Sequence, residues 1–141
     1  MNVDLDVKYE NGYVVEINFK KGDFNVENEA EKQLLEYLNG HRKTLSFPYK
    51  IKGTAFQKKV YETLMTSEYG STITYKSLAE KAGYDKAYRA VGSAMNKNPL
   101  AILIPCHRVL PSDYSLGKFG ASVSIKKTLL DLERSVKKRS E

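Results

Sequence analysis

The chain of 141 residues has one cysteine, two histidines and no long hydrophobic run. A single cysteine excludes a disulfide within the chain. Cys106, His41 and His107 show no paired metal-ligand spacing, so the sequence predicts neither a metal site nor another cofactor. No apolar stretch approaches the roughly 20 residues of a membrane span, and the acidic, alternating N-terminus is no secretory signal. We expect a globular protein without a membrane partner, in the cytoplasm beside the nucleoid or in the nucleus.

The positive charge is unevenly distributed along the chain. The net charge is +6, yet residues 1–52 hold 8 Lys/Arg against 9 Asp/Glu, so the whole excess lies in residues 53–141. A basic part beside a neutral part favours a nucleic-acid partner, although a solvated basic surface has the same composition. We predict two domains, residues 1–52 and residues 53–141.

The first part has an α/β pattern. Alternation before and after Glu10-Asn11-Gly12 predicts a β-hairpin, with Tyr13, Val15, Ile17 and Phe19 on one face of its second strand. Ala30, Leu34, Leu35 and Leu38 have helical spacing within residues 27–38, and Gly40 follows as a stop. Residues 47–53 indicate an extended linker. These residues show no recognisable chemistry, so we expect a structural role for residues 1–52.

The second part is predicted to be mostly helical. Thr54 and Gln57 fit a capping box, followed by a stripe of Phe56, Val60 and Leu64. Thr74 is placed to cap a second helix that ends at Gly83, and Asp85 is placed to cap a third helix. That third helix has its apolar side chains at Ala87, Val91, Ala94 and Met95. Two short helices joined by a glycine-containing turn are typical of a helix-turn-helix, and the same pattern also fits helices packed as a bundle.

The third helix is rich in small residues and carries one outward-pointing cation. Arg89 lies about 200° around the helix from Ala87 and Val91, so it faces outward if those two face the core. Lys86 and Ser93 lie beside it. The helix either packs through its alanines with an exposed arginine, or enters a narrow groove and presents that arginine to it.

The sole cysteine follows a short apolar run, residues 100–104, which should be buried. Cys106 has His107 and Arg108 as neighbours, and such neighbours can lower a thiol pKa and favour the thiolate. An unreactive buried cysteine is the competing interpretation. If the segment is extended, Cys106 and His107 point to opposite faces, so a bridging water would have to join them.

The last helix places an acid near its apolar stripe. Ile125, Leu129 and Leu132 define that stripe, and Glu133 lies on its edge. A buried carboxylate needs a partner, and His107 is the candidate, which would give a set of Cys, His and Glu. A Glu133 side chain that reaches solvent fits the same spacing.

The signature Ile104-Pro105-Cys106-His107-Arg108-Val109 resembles that of the O6-alkylguanine-DNA alkyltransferases, also called methylated-DNA–protein-cysteine methyltransferases. The resemblance covers residues 54–133 in the family's order and spacing. It implies an α+β protein, in which a small α/β (RNase H-like) N-terminal domain precedes a winged helix-turn-helix catalytic domain. It also implies direct-reversal DNA repair, in which an alkyl group moves irreversibly from O6-alkylguanine to the protein itself after base flipping; activity on O4-alkylthymine is left open.

The resemblance assigns the chemistry to particular residues. Cys106 is the alkyl acceptor, and His107, oriented by Glu133, takes the thiol proton through a water. Tyr75 helps to rotate the target phosphate and donates to the guanine ring. The backbone carbonyls of Cys106 and Val109 accept from the guanine amine.

The resemblance also assigns a DNA-binding surface. Arg89 is the finger that fills the base stack, and Asn98 is the hinge between the recognition helix and the cysteine loop. The expected partner is double-stranded DNA, held through its minor groove by a monomer, with cooperative binding left open. The remaining residues expected at this surface are Lys86, Ala90, Gly92 and Ser93.

The chain departs from the family pattern after the signature. A Gly-Tyr-x-Gly-Gly-like loop is usual near residues 116–122, and here Phe119 replaces the tyrosine and is followed by Gly120-Ala121-Ser122. Phe119 can still line an alkyl pocket, without a hydroxyl, and the Gly120 amide can still face O6. The shape of the pocket, and with it the tolerance of large alkyl groups, is therefore left open.

Three other functions use some of the same features. A non-catalytic lesion-binding protein would lack the acceptor cysteine, which this chain has. A helix-turn-helix transcriptional regulator would bind a defined site without consuming a modified guanine. A Cys-His-Glu hydrolase would turn over many times.

Overall fold

The computed structural model describes residues 4–20, 22, 24–112 and 123–140, and Phe119 and Gly120 lie outside them. The described residues form an α+β structure with small sheets, which confirms the predicted class. Whether the N-terminal part is RNase H-like and the helical part winged stays a prediction, as do the two domains. The elements are β1 (Asp4–Glu10), β2 (Tyr13–Lys20), α1 (Glu29–Leu38), α2 (Ala55–Met65), β3 (Ile73–Thr74), α3 (Tyr75–Lys81), α4 (Tyr88–Asn96), a 3-10 turn (Cys106–Arg108), β4 (Val109–Leu110) and α5 (Val123–Ser140).

The N-terminal hairpin forms as predicted, but its buried face differs. Asn11 and Gly12 adopt φ of 51° and 85°, the left-handed conformation that an Asn-Gly hairpin turn requires. The antiparallel register shifts between Lys8 and Tyr9, which pairs Tyr9 with Val14. Val14 is therefore buried and Tyr13 is exposed, whereas strict alternation predicted Tyr13 on the same face as Val15 and Ile17. The reason is that a bulge changes which side chains face the core.

The predicted linker is extended, and part of it pairs with the hairpin. The backbone of Val14 exchanges hydrogen bonds with Pro48 and Lys50, at 3.0 Å each. Further along β2, the Ile17 amide donates to the Pro99 carbonyl at 2.8 Å, and the Ala101 amide donates to the Ile17 carbonyl at 3.1 Å. The hairpin thus holds the start of the apolar run that leads to the cysteine.

The helix boundaries follow local capping chemistry, with one exception. Thr54 and Gln57 form the predicted capping box, and Thr74 accepts from the Ser77 amide at the start of α3. The predicted cap at Asp85 is wrong: α4 begins at Tyr88, and Ala87 takes the N-cap position without a side-chain bond. Lys86 adopts φ of 70°, so the turn extends past Asp85 before the helix starts.

Helix α1 is shorter than expected and differs on one face. It begins at Glu29 with Asn28 as its cap, and the predicted core position Leu35 is 38% exposed. Tyr37 is buried instead, beside Leu34 and Leu38. The buried hydrophobic residues of α1 and of the hairpin, apart from Val15, belong to the same core cluster as those of α2, α3 and α4. None of the described helices is long and apolar enough to cross a membrane.

Helix α5 presents a different face to the core from the one predicted. Ile125 and Leu132 are only half-buried, whereas Leu129 and Leu130 are buried. Lys126 and Glu133, two turns apart, lie in this buried face and are fully inaccessible to solvent. The spacing of hydrophobic residues does not predict such a face, because that approach assumes that charged residues are exposed.

Candidate active site

The cysteine lies in a tight turn at the end of a buried segment. All five residues of the apolar run are buried, as predicted, and Ile102 turns the chain with φ of 74°. The Ile104 carbonyl accepts from the Cys106 amide at 2.7 Å, and Cys106, His107 and Arg108 then form a 3-10 turn. The assumption of an extended segment at Cys106 is therefore wrong.

Burial controls the protonation state of Cys106. Desolvation raises the pKa of its thiol to about 11, against smaller lowering effects of the Asn98 side chain and the Lys126 charge. The expectation that His107 and Arg108 favour the thiolate is wrong for the resting protein. His107 is neutral, and the Arg108 charge is paired elsewhere. Cys106 is therefore a thiol at neutral pH, and a base must remove its proton to form the nucleophilic thiolate.

Glu133 is the centre of a buried hydrogen-bond network. Its Oε2 lies 2.5 Å from His107 Nε2, so the structure brings together the predicted acid and imidazole. Arg108 donates to both oxygens, from Nε at 2.8 Å and from Nη2 at 3.0 Å, and the Gly70 amide donates to Oε1 at 3.0 Å. The Tyr37 hydroxyl also donates to Oε2. Despite burial, the hydrogen bonds and charges of His107 and Arg108 lower the pKa of Glu133 to about 2, and the carboxylate is ionised at neutral pH.

His107 is oriented with one ring nitrogen left for chemistry. Burial lowers the pKa of its imidazole below the usual 6.5, so the ring is neutral at pH 7. With Glu133 accepting from Nε2–H, Nδ1 is the basic nitrogen. Among the described residues Nδ1 has no hydrogen-bond partner, although it is buried. The turn therefore holds His107 in a fixed orientation, with Nδ1 as a base on the residue that follows Cys106.

Asn98 connects the end of α4 to the cysteine turn. Its Nδ2 donates to the Ile104 carbonyl at 2.8 Å, and its Oδ1 accepts from the Leu100 amide at 2.9 Å. Its side chain also bonds to Cys106 and lowers the thiol pKa. Asn98 thus holds both ends of the apolar run at the cysteine, a contact that fits its predicted position as a hinge.

Tyr75 lies close to α4. Tyr75 is half-buried at the start of α3, and a Cβ at Gly92 would lie 3.9 Å from Tyr75 Cε1. Arg89 is exposed, as its helical position predicts, and makes no hydrogen bond or ion pair with any described residue. Lys86, Ala90 and Ser93 are also exposed, and Gly92 is half-buried. Each of the predicted DNA-binding residues is therefore at least partly accessible to solvent.

The sequence did not predict the contacts of three side chains at or near the site. Arg108 pairs with Glu133, Tyr37 donates to it, and Lys126 donates to the Val109 carbonyl at 2.7 Å. Arg108 adjoins the cysteine signature, and Lys126 precedes Glu133 by two helical turns, so spacing gave a signal for both. Nothing near Tyr37 in the sequence indicates its contact. Among the described residues, no three His, Cys, Asp or Glu side chains are grouped to hold a metal.

We expect Cys106 to react with iodoacetamide slowly at pH 7, with a rate that rises about tenfold per pH unit up to pH 10. The reason is the raised thiol pKa, since only the thiolate is a nucleophile. Mass spectrometry of the folded protein across pH 6–10 measures the rate, and a small peptide thiol, which levels off near its pKa of about 8.5, is the reference. A plateau at or below pH 8 for Cys106 would contradict the prediction.

The fold and the site define the class of protein: an α+β protein whose sole cysteine lies beside a buried His–Glu–Arg network and a pair of short helices with an exposed basic face. The chain belongs to the O6-methylguanine DNA methyltransferase family, since the model of that family's DNA-binding domain matches residues 55–135.

Related sequences and structures agree with this assignment. The methylated-DNA–protein-cysteine methyltransferase of Methanosarcina barkeri is 45% identical over 107 residues, which cover 76% of this chain and 68% of that protein. Its namesake from Methanosarcina acetivorans is 41% identical over 131 residues, covering 84% of each chain. The crystal structure of Mycobacterium tuberculosis OGT in complex with DNA superposes with a TM-score of 0.83 at 28% identity, covering 94% of this chain and 87% of that one.

Proposed function

We propose that this protein repairs DNA by transferring the alkyl group of O6-alkylguanine to its own Cys106. The observation that carries the proposal is the buried turn in which Cys106 adjoins His107, whose imidazole is bound to Glu133. The type of reaction is proposed from family membership, since the relatives are named methylated-DNA–protein-cysteine methyltransferases.

The reaction needs a base for the thiol and an acid for the leaving group. His107 Nδ1 takes the thiol proton through one water, and Glu133 stabilises the imidazolium that forms. The thiolate attacks the alkyl carbon in line, an S–C bond forms, and the C–O6 bond breaks. The leaving guanine keeps the bonding electron pair and gains a proton, for which Tyr75 is the proposed donor. A thioether is not readily hydrolysed, so each molecule acts once.

The pocket is proposed to read the guanine through backbone groups. The carbonyls of Cys106 and Val109 are the proposed acceptors for its amine. Val109 O already accepts from Lys126 Nζ, and a carbonyl has a second lone pair for a base. Phe119 and Gly120 are proposed to form the wall of the pocket and the donor to O6.

The proposed DNA contact is the α3–α4 surface, bound as a helix-turn-helix to the minor groove. The alkylated atom is buried in a duplex, so the base has to be flipped out of the stack. Arg89 is exposed and has no partner in the part of the chain that the structure describes, and it is the proposed residue that fills the resulting gap. The small or polar side chains around it allow close approach to the sugar–phosphate backbone, and they belong to Lys86, Ala90, Gly92 and Ser93. The protein is proposed to work as a monomer in the cytoplasm or nucleus.

Intact-mass spectrometry after incubation with a duplex that contains O6-methylguanine tests the proposal. We expect each protein molecule to gain one methyl group, the gain to lie in the peptide that contains Cys106, and an equal amount of unmodified guanine to appear. Cys106→Ala is the matched control and should gain nothing. Many turnovers per molecule would indicate a hydrolase, a methyl gain in the control would exclude Cys106 as acceptor, and binding without transfer would indicate a lesion-binding protein or a regulator.

A further inference from the structure

Helix α1 brings one residue of the N-terminal part to the Glu133 network. Tyr37 is 2% exposed, and its ring packs edge-on against Tyr69, with ring centroids 5.7 Å apart. Its hydroxyl donates to Glu133 Oε2, across 96 positions of sequence. The mechanism proposed above uses no residue before Tyr75, so this contact has no role in it.

The oxygen that Tyr37 binds is the one that faces the imidazole. His107 Nε2 lies 2.5 Å from Oε2, and Arg108 Nη2 lies 3.0 Å from it. A hydrogen bond to a carboxylate withdraws negative charge from the oxygen that accepts it. The Tyr37 hydroxyl therefore competes with the imidazole for the charge of the same atom.

We infer that Tyr37 is a positioning residue for the alkyl transfer: its hydroxyl shares Glu133 Oε2 with His107 and thereby keeps the imidazole neutral and ready to accept the thiol proton. The inference rests on the proposed function for its catalytic consequence. It gives the N-terminal part a direct contact with the chemistry.

The direction of the effect follows from the charges around His107. Of the described residues, Glu133 is the anion that faces the ring, and the positive charges of Arg108 and Lys126 oppose its effect. The neutral groups are the Cys106 thiol in the same turn and Tyr37 from α1, whose hydroxyl donates to the same Glu133 oxygen. Removing the Tyr37 hydroxyl leaves more of the Glu133 charge on the ring, which stabilises the imidazolium and raises the pKa of His107.

Histidine NMR of a Tyr37→Phe variant tests the inference directly, because the chain has only two histidines. We expect the pKa of His107 in the variant to be about one unit above that in the wild type. Tyr9→Phe is the matched control, since Tyr9 also donates to a carboxylate of α1, that of Glu31, away from the site. An unchanged His107 in Tyr37→Phe, or an equal shift in Tyr9→Phe, would overturn the inference.

The pH profile of transfer from O6-benzylguanine gives the functional readout. The rate constant of Tyr37→Phe should match that of the wild type near pH 8, and the deficit should approach tenfold as the pH falls below the His107 titration. The fraction of protein that is alkylated when the reaction is complete, measured by mass spectrometry, gives the fraction of active molecules. Unfolded protein lowers this fraction but does not alter the rate constant. A deficit that is the same at every pH would contradict the inference. If the wild type transfers nothing, the proposed function fails, whereas the NMR titration still decides the role of Tyr37.

Discussion

Glu133→Gln is expected to lower the free energy of unfolding by about 3–5 kcal/mol, the usual cost of breaking a buried ion pair. The amide has nearly the shape of the carboxylate but no charge, so Arg108 would stay buried without a counter-ion. An amide nitrogen would also face one of the donors that now bind the carboxylate. Urea unfolding at pH 7 measures the loss. Glu36→Gln is the matched control, because it breaks a half-exposed pair with Arg42 and should cost no more than about 1 kcal/mol.

The same substitution should change how stability depends on pH. Because the pKa of Glu133 is lowered to about 2 in the folded protein, its stabilising contribution is complete above the unfolded value of about 4.3. It is lost as the pH falls from there towards 2. The part of the difference between wild type and Glu133→Gln that comes from the Glu133 charge should thus shrink below pH 4. A difference that persists unchanged to pH 2 would contradict the assigned ion pair.

Glu133→Gln should also slow alkyl transfer on the order of 100-fold, since His107 loses the anion that stabilises its protonated form. The rate is measured with O6-benzylguanine, per active molecule, at a temperature at which the variant is folded. A variant that is destabilised but transfers at the wild-type rate would leave Glu133 with a structural role only.

Arg89→Ala is expected to slow repair of O6-methylguanine in a duplex on the order of 100-fold and to change the reaction with free O6-benzylguanine less than twofold. The free base needs no flipping, whereas flipping costs a few kcal/mol, and a loss of about 2.7 kcal/mol corresponds to the factor of 100. Arg89 has no partner among the described residues, so its removal should not destabilise the fold.

Single-turnover rates on the two substrates measure this selectivity. Arg134→Ala is the control, because it removes an exposed arginine from α5 and lowers the net charge by the same amount. If it slows duplex repair as much as Arg89→Ala, the effect is general electrostatic attraction to DNA. Equal losses on duplex and free base would refute insertion of Arg89 into the stack.

The predictions that succeeded depend on few neighbouring residues. Thr54 and Gln57 cap a helix because they lie three positions apart, and Asn11-Gly12 turns the chain because both residues tolerate positive φ. The outward direction of Arg89 follows from helical periodicity. The predicted helix cap at Asp85 was wrong because Lys86 adopts a left-handed conformation that prolongs the turn before α4. No local sequence pattern indicated that conformation.

A second group of failed predictions concerns ionisable side chains in the core. Spacing alone allowed Glu133 to reach solvent and gave Lys126 no part in the buried face, yet both are fully buried. Burial of a charge depends on its partners, and those of Glu133 come from positions 25, 26, 63 and 96 residues away. The prediction of a lowered pKa for the Cys106 thiol was wrong for the same reason, because desolvation depends on all the groups that pack around Cys106.

By itself the sequence determined the family and the helical pair that carries Arg89, and it predicted Cys106 as the acceptor with the residues proposed around it. Each of these depends on residue types at short, ordered spacings. The tertiary structure alone decided the protonation states of Cys106 and His107, the pairing of Arg108 with Glu133, and the approach of Tyr37 to the carboxylate. The physical reason is that solvent exclusion and electrostatic pairing act through space, between groups that the chain brings together only when it folds.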